Sequence, residues 1–250
     1  MRSCIFCGNR AGTREDAWPL WLMRKFPKKI NGVMAGEIGK KALTPWRQIS
    51  PELKIKFICK GCNNGWMSRL EDQVKPILEP IINEETVLIH LQQQSILSAW
   101  AVKTTMVLEA IYHDRIWFYL PAERTSLMET LHPPARTYVW IAKCVDHNGC
   151  YSSASILKGT IDELPGQVVG YLSTISFGPF VAQALSMRLP GSPALDSSVI
   201  ANVQSGSWSQ AMICIWPNQM TSQKWTPVLG LSGETGLQAL IERWTPNSAT

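Results

Sequence analysis

Apolar side chains recur every fourth residue at Trp66, Leu70, Val74 and Leu78, while Arg69, Glu71, Asp72 and Lys75 occupy other faces. This period predicts an amphipathic helix starting between Cys62 and Gly65, capped by Asn63 or Asn64 and kinked at Pro76. A broader apolar stripe from Leu91 to His113, carried by Ile96, Leu97, Trp100, Ala101, Thr104, Val107, Leu108 and Ile111, predicts a helix of the core. Leu53 to Ile58 alternates apolar and charged residues, the pattern of a half-buried strand. Further strands are predicted at Ile116 to Leu120, Thr137 to Val145, Cys150 to Leu157, Gln167 to Ser176, Val181 to Arg188 and Ala211 to Trp216, separated by Gly, Pro and Asn turns. Shorter helices fit 19–26, 122–131 and Gly236 to Trp244, and 27–42 reads as a basic loop punctuated by Pro27, Gly32, Gly36 and Gly39.

Helix-dominated and strand-dominated stretches are thus segregated, which points to the α+β class with a mostly antiparallel sheet. A chain of 250 residues is long enough for a small domain and a medium one. The polar stretch within Pro80 to Thr86 is the natural cut, giving a domain over 1–82 and a larger α+β domain over 86–250. Hydrophobic residues make up 45% and charged residues 17%, ordinary for a folded protein, and no apolar run is long enough to span a bilayer. Met1-Arg2-Ser3 leads straight into Cys4 without the apolar region of a secretory signal, so a reducing cytoplasm is the expected setting.

The seven cysteines support that setting and add chemistry. Cys4-Ile5-Phe6-Cys7 and Cys59-Lys60-Gly61-Cys62 each space two thiols so that both can turn onto one ion, and together they form the ligand set of a closed tetrahedral zinc site. Gly8 and Gly61 stand where such turns need backbone freedom. A redox Cys-x-x-Cys or two disulfides are the alternatives, but a redox pair belongs beside a βαβ pattern that neither knuckle has, and it leaves a second matching pair unexplained. Cys144, Cys150 and Cys214 read as buried thiols in strands.

Charge concentrates near these cysteines. The net charge is +5, yet residues 1–80 hold 15 Lys or Arg against 7 Asp or Glu, whereas the rest of the chain is net acidic. A basic segment of this kind is the footprint of a phosphate-bearing partner, with a solvated lysine-rich surface as the plain alternative. Arg14, Arg24, Lys25, Lys28, Lys29 and Arg69 are the candidate contacts to DNA or RNA. Trp18, Trp21 and Trp66 fall on apolar faces and are read as packing. Trp46, between Pro45 and Arg47, is better placed to stack on a base, although packing is expected of it too.

The order of knuckle, Glu15-Asp16-Ala17-Trp18-Pro19, strand, and Cys59-Lys60-Gly61-Cys62-Asn63 running into a helix resembles the zinc-knuckle HNH endonucleases over about residues 4–75. The resemblance implies a ββα-metal fold stapled by the two cysteine pairs. It further implies a role for Glu15 in holding a catalytic Mg2+ or Mn2+, for Asn63 in orienting the general base, and for Asp16 at the place of the catalytic histidine. An aspartate there has about 3.5 kcal/mol less proton affinity than an imidazole. His90, His113, His132 and His147 all lie beyond residue 82, leaving Glu71 as the nearest acidic substitute for the last metal ligand. Two accounts therefore stand open. Glu15, Asp16 and Glu71 gather a hard cation that acidifies the attacking water, making a DNA endonuclease; or the knuckles scaffold a module that binds nucleic acid or protein without cutting it. HNH-like proteins often serve in phage defence and mobile-element conflict, which is the setting the resemblance implies.

The larger domain carries no nucleophile elbow, phosphate loop or dinucleotide glycine cluster. His113-Asp114-Arg115 at a helix end reads as a cationic C-terminal cap. Gly170 to Gly178 looks like packed strand ending in a bend, suggesting a recognition or assembly platform that could meet a protein partner or a second copy of the chain.

Overall fold

The computed structural model describes residues 2–12, 15–16, 19–26, 31–35, 44–48, 54–112, 117–147, 149–160, 167–188, 208–217, 221–225 and 229–242. Its organising feature is a helix that runs from the second cysteine pair into the core. It begins as α2 (Lys60–Cys62), passes through a π-helical turn (Asn63–Met67) and continues as α3 (Ser68–Ile82). Cys59 is extended and caps it, its Sγ accepting from the Cys62 N–H at 3.4 Å. Asn63 and Asn64, the expected caps, therefore lie inside the helix, about one turn beyond its start at Cys59. The departure from helical dihedrals falls at Gly65 (φ −98°, ψ −110°), where the absence of a β-carbon makes the deviation cheap. Pro76 and Pro80 each remove a helical N–H, yet α3 continues to Ile82 because Ile77, Leu78, Ile81 and Ile82 are all buried.

The segment before this helix is made of short pieces. β1 (Glu15–Asp16) pairs antiparallel with β4 (Lys54–Ile55), α1 spans Leu20–Lys25, and β2 (Asn31–Ala35) pairs with β3 (Thr44–Gln48). Two expectations are corrected here. Residues 31–35 of the anticipated basic loop form a strand, and Trp46 stands in β3 opposite Val33 rather than in a loop. Of the strand expected over Leu53 to Ile58, Lys54 and Ile55 are the ladder residues among the described positions 54–58, Leu53 lying outside them; Ile58 is fully buried just ahead of Cys59.

After β5 (Val87–Ile89) comes α4 (Leu91–Tyr112), whose side chains are buried on nearly every face from Leu97 to Ala110. The broad apolar stripe anticipates a core helix, but the helix is enclosed even where it is polar, so its polar groups need partners inside the protein. Thr104 and Thr105 donate to the carbonyls of Trp100 and Ala101 at 2.9 and 3.0 Å, and Gln94 Nε2 donates to the carbonyls of Ile89 and Thr221 at 3.0 and 2.8 Å. Residues 117–120, expected as a strand, instead form a turn leading to α5 (Pro121–Thr130). Glu123 closes the start of that helix by accepting from the Leu120 N–H at 2.7 Å.

The sheet follows the sequence pattern closely. β6 (Thr137–Val145), β7 (Cys150–Thr160), β8 (Gln167–Phe177) and β9 (Phe180–Arg188) precede a single helical turn, α6 (Trp208–Ala211), and β10 (Met212–Trp216). The order is β10-β6-β9-β8-β7, antiparallel throughout, with β12 (Leu231–Ser232) parallel to the end of β6; β11 (Gln223–Trp225) pairs separately with β5. Val139 and Ile141 face the α4 core, whereas Tyr138, Trp140 and Ala142 face a second cluster under α7 (Gly233–Glu242) with Leu237 and Leu240. The period of two thus places one sheet between two helices, an α+β arrangement with a mostly antiparallel sheet. Cys144, Cys150 and Cys214 are buried thiols in β6, β7 and β10.

The chain turns at Asn83 to Thr86, where the domain cut was expected, but burial does not stop there. One core cluster contains Phe6, Leu22, Ile58, Trp66 and Leu70 together with Trp100, Tyr171, Phe177 and Trp225. Gly178, in the turn between β8 and β9 with φ +54°, lies so close to the Phe26 ring that a β-carbon would come within 2.5 Å of it.

Candidate metal centre and its surroundings

The first knuckle folds on its own backbone. Cys4 N–H donates to the Asn9 carbonyl at 2.7 Å, Gly8 N–H donates to the Cys4 carbonyl at 3.0 Å, and Gly8 takes φ +74°, the left-handed conformation its position predicts. Gly61, by contrast, is an ordinary residue of α2. The two knuckles are tied by the Ile5 N–H donating to the Phe57 carbonyl at 3.0 Å and by Gly12 N–H to the Ile58 carbonyl at 3.4 Å.

This pairing brings the Sγ atoms of Cys4, Cys7, Cys59 and Cys62 within 4.8 Å of one another. Cys7 and Cys59 are separated by 3.5 Å. A tetrahedral zinc site with Zn–S near 2.3 Å implies sulfur separations of about 3.8 Å, so the donor set and its dimensions suit such an ion. Burial alone would raise the Cys4 thiol, but backbone N–H groups of Cys7, Phe6 and Cys59 bring it down to about 7. Burial pushes Cys62 well above its ordinary value, with Cys7 and Cys4 adding to the rise, and burial raises Cys7 as well. Packed sulfurs of this kind cannot all ionise without a cation. The four cysteines could therefore hold a zinc ion, which would supply the charge that lets them do so.

Around the cluster, Phe6 meets Trp66 edge-on at 4.9 Å, so Trp66 is a packing residue as its place on the apolar face suggested. Trp21 is half-buried, with Lys75 Nζ 5.9 Å from its ring centroid; Trp18 lies outside the described residues. From the far side α5 supplies Thr125, whose Oγ1 donates to the Phe6 carbonyl at 2.9 Å, and Met128, whose Sδ is 3.8 Å from Cys62 Sγ. Nothing in the sequence marks these contacts. The helix itself is legible from Pro121 and Glu123, but its docking against the knuckle is not.

The other expected site residues are distributed as follows. Glu15 and Asp16 form β1, opposite Ile55 and Lys54 in the ladder that precedes Cys59. Asn63 is half-buried at the start of the π-helical turn, and its Nδ2 donates to Asn64 Oδ1 at 3.1 Å. Glu71 points to α4: its Oε1 accepts from the buried Lys103 Nζ at 2.9 Å. Arg24 and Lys25 are exposed in the last turn of α1, Lys25 donating to Asn83 Oδ1, and Arg69 is exposed on α3. Arg14, Lys28, Lys29 and the His113-Asp114-Arg115 tripeptide lie outside the described residues.

A group missed by sequence reasoning sits beside the first knuckle. Glu109 of α4 is fully buried and accepts from the backbone N–H groups of Phe118 and Tyr119 and from Arg124 Nη2. A lone Glu and a lone Arg on separate helices carry no sequence signal of their pairing. No helix among the described residues is long and apolar enough to cross a membrane. Compared with protein-family models, curated proteins and solved structures, the chain matches none of them.

Proposed function

We propose that the amino-terminal third is an HNH-like module that engages nucleic acid, and that it works as a metal-dependent DNA endonuclease with an altered active site. The observation that carries this reading is local. A two-strand ladder holding Glu15 and Asp16 runs into a helix, and both ends of the unit are stapled at one four-cysteine cluster. In this reading Glu15 and Asp16 hold Mg2+ or Mn2+, Asn63 orients the attacking water's base, and Arg24, Lys25 and Arg69, with Arg14, Lys28 and Lys29, contact the phosphates. The module acts in phage defence or mobile-element conflict, and residues 86–250 serve as its recognition or assembly platform.

The competing reading is a zinc-stapled module that binds nucleic acid or protein without cutting. It is favoured by the Glu71–Lys103 ion pair, which occupies the one acidic side chain of α3 nearest the family's last ligand position. Plasmid and single-stranded DNA incubated with Mg2+, Mn2+ or Ni2+, beside a Glu15→Ala, Asp16→Ala double variant, separates the two. Nicking by the wild type alone supports the endonuclease. Equal nicking by the variant, or none with any metal, removes it and leaves the binding module.

A further inference from the structure

We propose that the surface between the first cysteine knuckle and α5 binds unpaired nucleotides of a DNA strand, with a base held at Trp117 and Arg124 and phosphates at Arg2 and Lys56. The proposal rests on the nucleic-acid reading above and names the form of nucleic acid this face takes.

A ladder of two aromatic rings with a cation at each end crosses this surface. Arg2 Cζ lies 4.7 Å from the Phe57 ring centroid, Phe57 meets Trp117 edge-on at 6.2 Å, and Arg124 Cζ lies 4.5 Å from the Trp117 centroid. Each end of the ladder reaches a groove. At one end is a space of about 320 Å³ lined by Arg2, Ala11, Gly12 and Lys56. At the other is a space of about 520 Å³ whose walls include Ile5, Phe6, Trp117, Tyr119, Pro121 and Arg124. The second is within the size range of small-ligand sites. Trp117 is 42% exposed, a large ring left in solvent at the mouth of this groove.

Arg124 supplies the polar anchor. It is only 3% exposed, its Nε donates to the Tyr119 carbonyl at 3.3 Å and its Nη2 to Glu109, while Nη1 meets no hydrogen-bond partner among the described residues. This nitrogen is buried on a residue that lines the groove, and a base entering far enough to reach it would supply the acceptor it lacks. Glu109 already balances the charge of Arg124, and Cys4 and Cys7, anionic when a metal is bound, line the same groove. An uncharged acceptor therefore suits it better than a phosphate. The carbonyl or ring nitrogen of a nucleobase meets that need, and its flat face suits Trp117. Arg2 and Lys56, exposed and without an acidic partner among the described residues, suit the phosphates of the same strand. Bases stacked inside a duplex cannot enter, so the strand must be unpaired.

The test is fluorescence anisotropy of the intact, zinc-loaded chain without added Mg2+ or Mn2+. Its three labelled probes, of equal length, are a single strand, a duplex and a single strand of abasic sites. Trp117→Ala should weaken the single strand about tenfold and leave the abasic strand unchanged, with Trp117→Phe keeping most of the affinity. Arg2→Ala with Lys56→Ala should weaken the single and abasic strands alike. The duplex should bind more weakly than the single strand; equal binding of the two, equal binding of the single strand by wild type and Trp117→Ala, or equal binding of abasic and base-bearing strands overturns this proposal while leaving the nucleic-acid reading intact. Failure of all three probes to bind overturns both.

Discussion

Met128 Sδ of α5 lies 3.8 Å from Cys62 Sγ, so the four-cysteine cluster is packed against the part of the chain beyond residue 86 as well as against its own knuckles. Thr125, one turn earlier on α5, holds the Phe6 carbonyl at 2.9 Å, and the core cluster continues from Phe6 to Trp225 without a break at the chain turn near Asn83. Loss of the metal should therefore be felt across the whole chain. A strong chelator, or Cys59→Ser, is expected to lower stability by about 3 kcal/mol or more, on the order of 10 °C in the melting temperature. The melt should remain a single transition when read by tryptophan fluorescence and by far-ultraviolet circular dichroism. Two separated transitions would show that the first 82 residues melt independently.

Glu71 presents a choice between structure and catalysis that one variant resolves. Its partner Lys103 is 2% exposed, so Glu71→Gln strands a buried ammonium; because Glu71 itself is 31% exposed, the cost should fall near the low end for such pairs, about 2 kcal/mol. Urea denaturation reads this directly. A variant that keeps wild-type stability yet loses metal-dependent nicking would instead make Glu71 a ligand of the catalytic cation.

Glu109 gives the protein a pH dependence of calculable sign. Burial raises its carboxyl from 4.5 to about 6, opposed by the Arg124 guanidinium and by the backbone N–H groups of Phe118 and Tyr119. A carboxyl whose value is raised on folding binds more protons in the folded state between the two values, so its contribution falls as pH climbs from about 4.5 to 6. The change corresponds to about 2 kcal/mol, complete above pH 6. Unfolding free energies of the wild type and of Glu109→Gln, measured across this interval, should differ by an amount that shifts accordingly. A pH-independent difference would contradict the assignment to this carboxyl.

Much of the architecture was legible in the chain because its signals are local. Strand-forming residues bounded by Gly, Pro and Asn turns marked β6 from Thr137 to Val145 with both ends correct, and β7, β8 and β9 to within a few residues at each end. The apolar stripe marked α4, and the spacing of Cys4, Cys7, Cys59 and Cys62 marked one cluster, since a two-residue gap constrains geometry without reference to the rest of the fold. Local signals failed where two choices cost little. Cys59 rather than Asn63 caps the helix because its sulfur is already held over the Cys62 N–H by the knuckle, and residues 117–120, as apolar as a strand, turn instead to deliver Phe118 and Tyr119 to the Glu109 carboxylate. Only the tertiary structure could pair Glu109 with Arg124, Glu71 with Lys103, Arg2 with Phe57, or Phe57 with Trp117. Such contacts join residues far apart in the chain, and a lone charge or ring carries no period or spacing that names its partner.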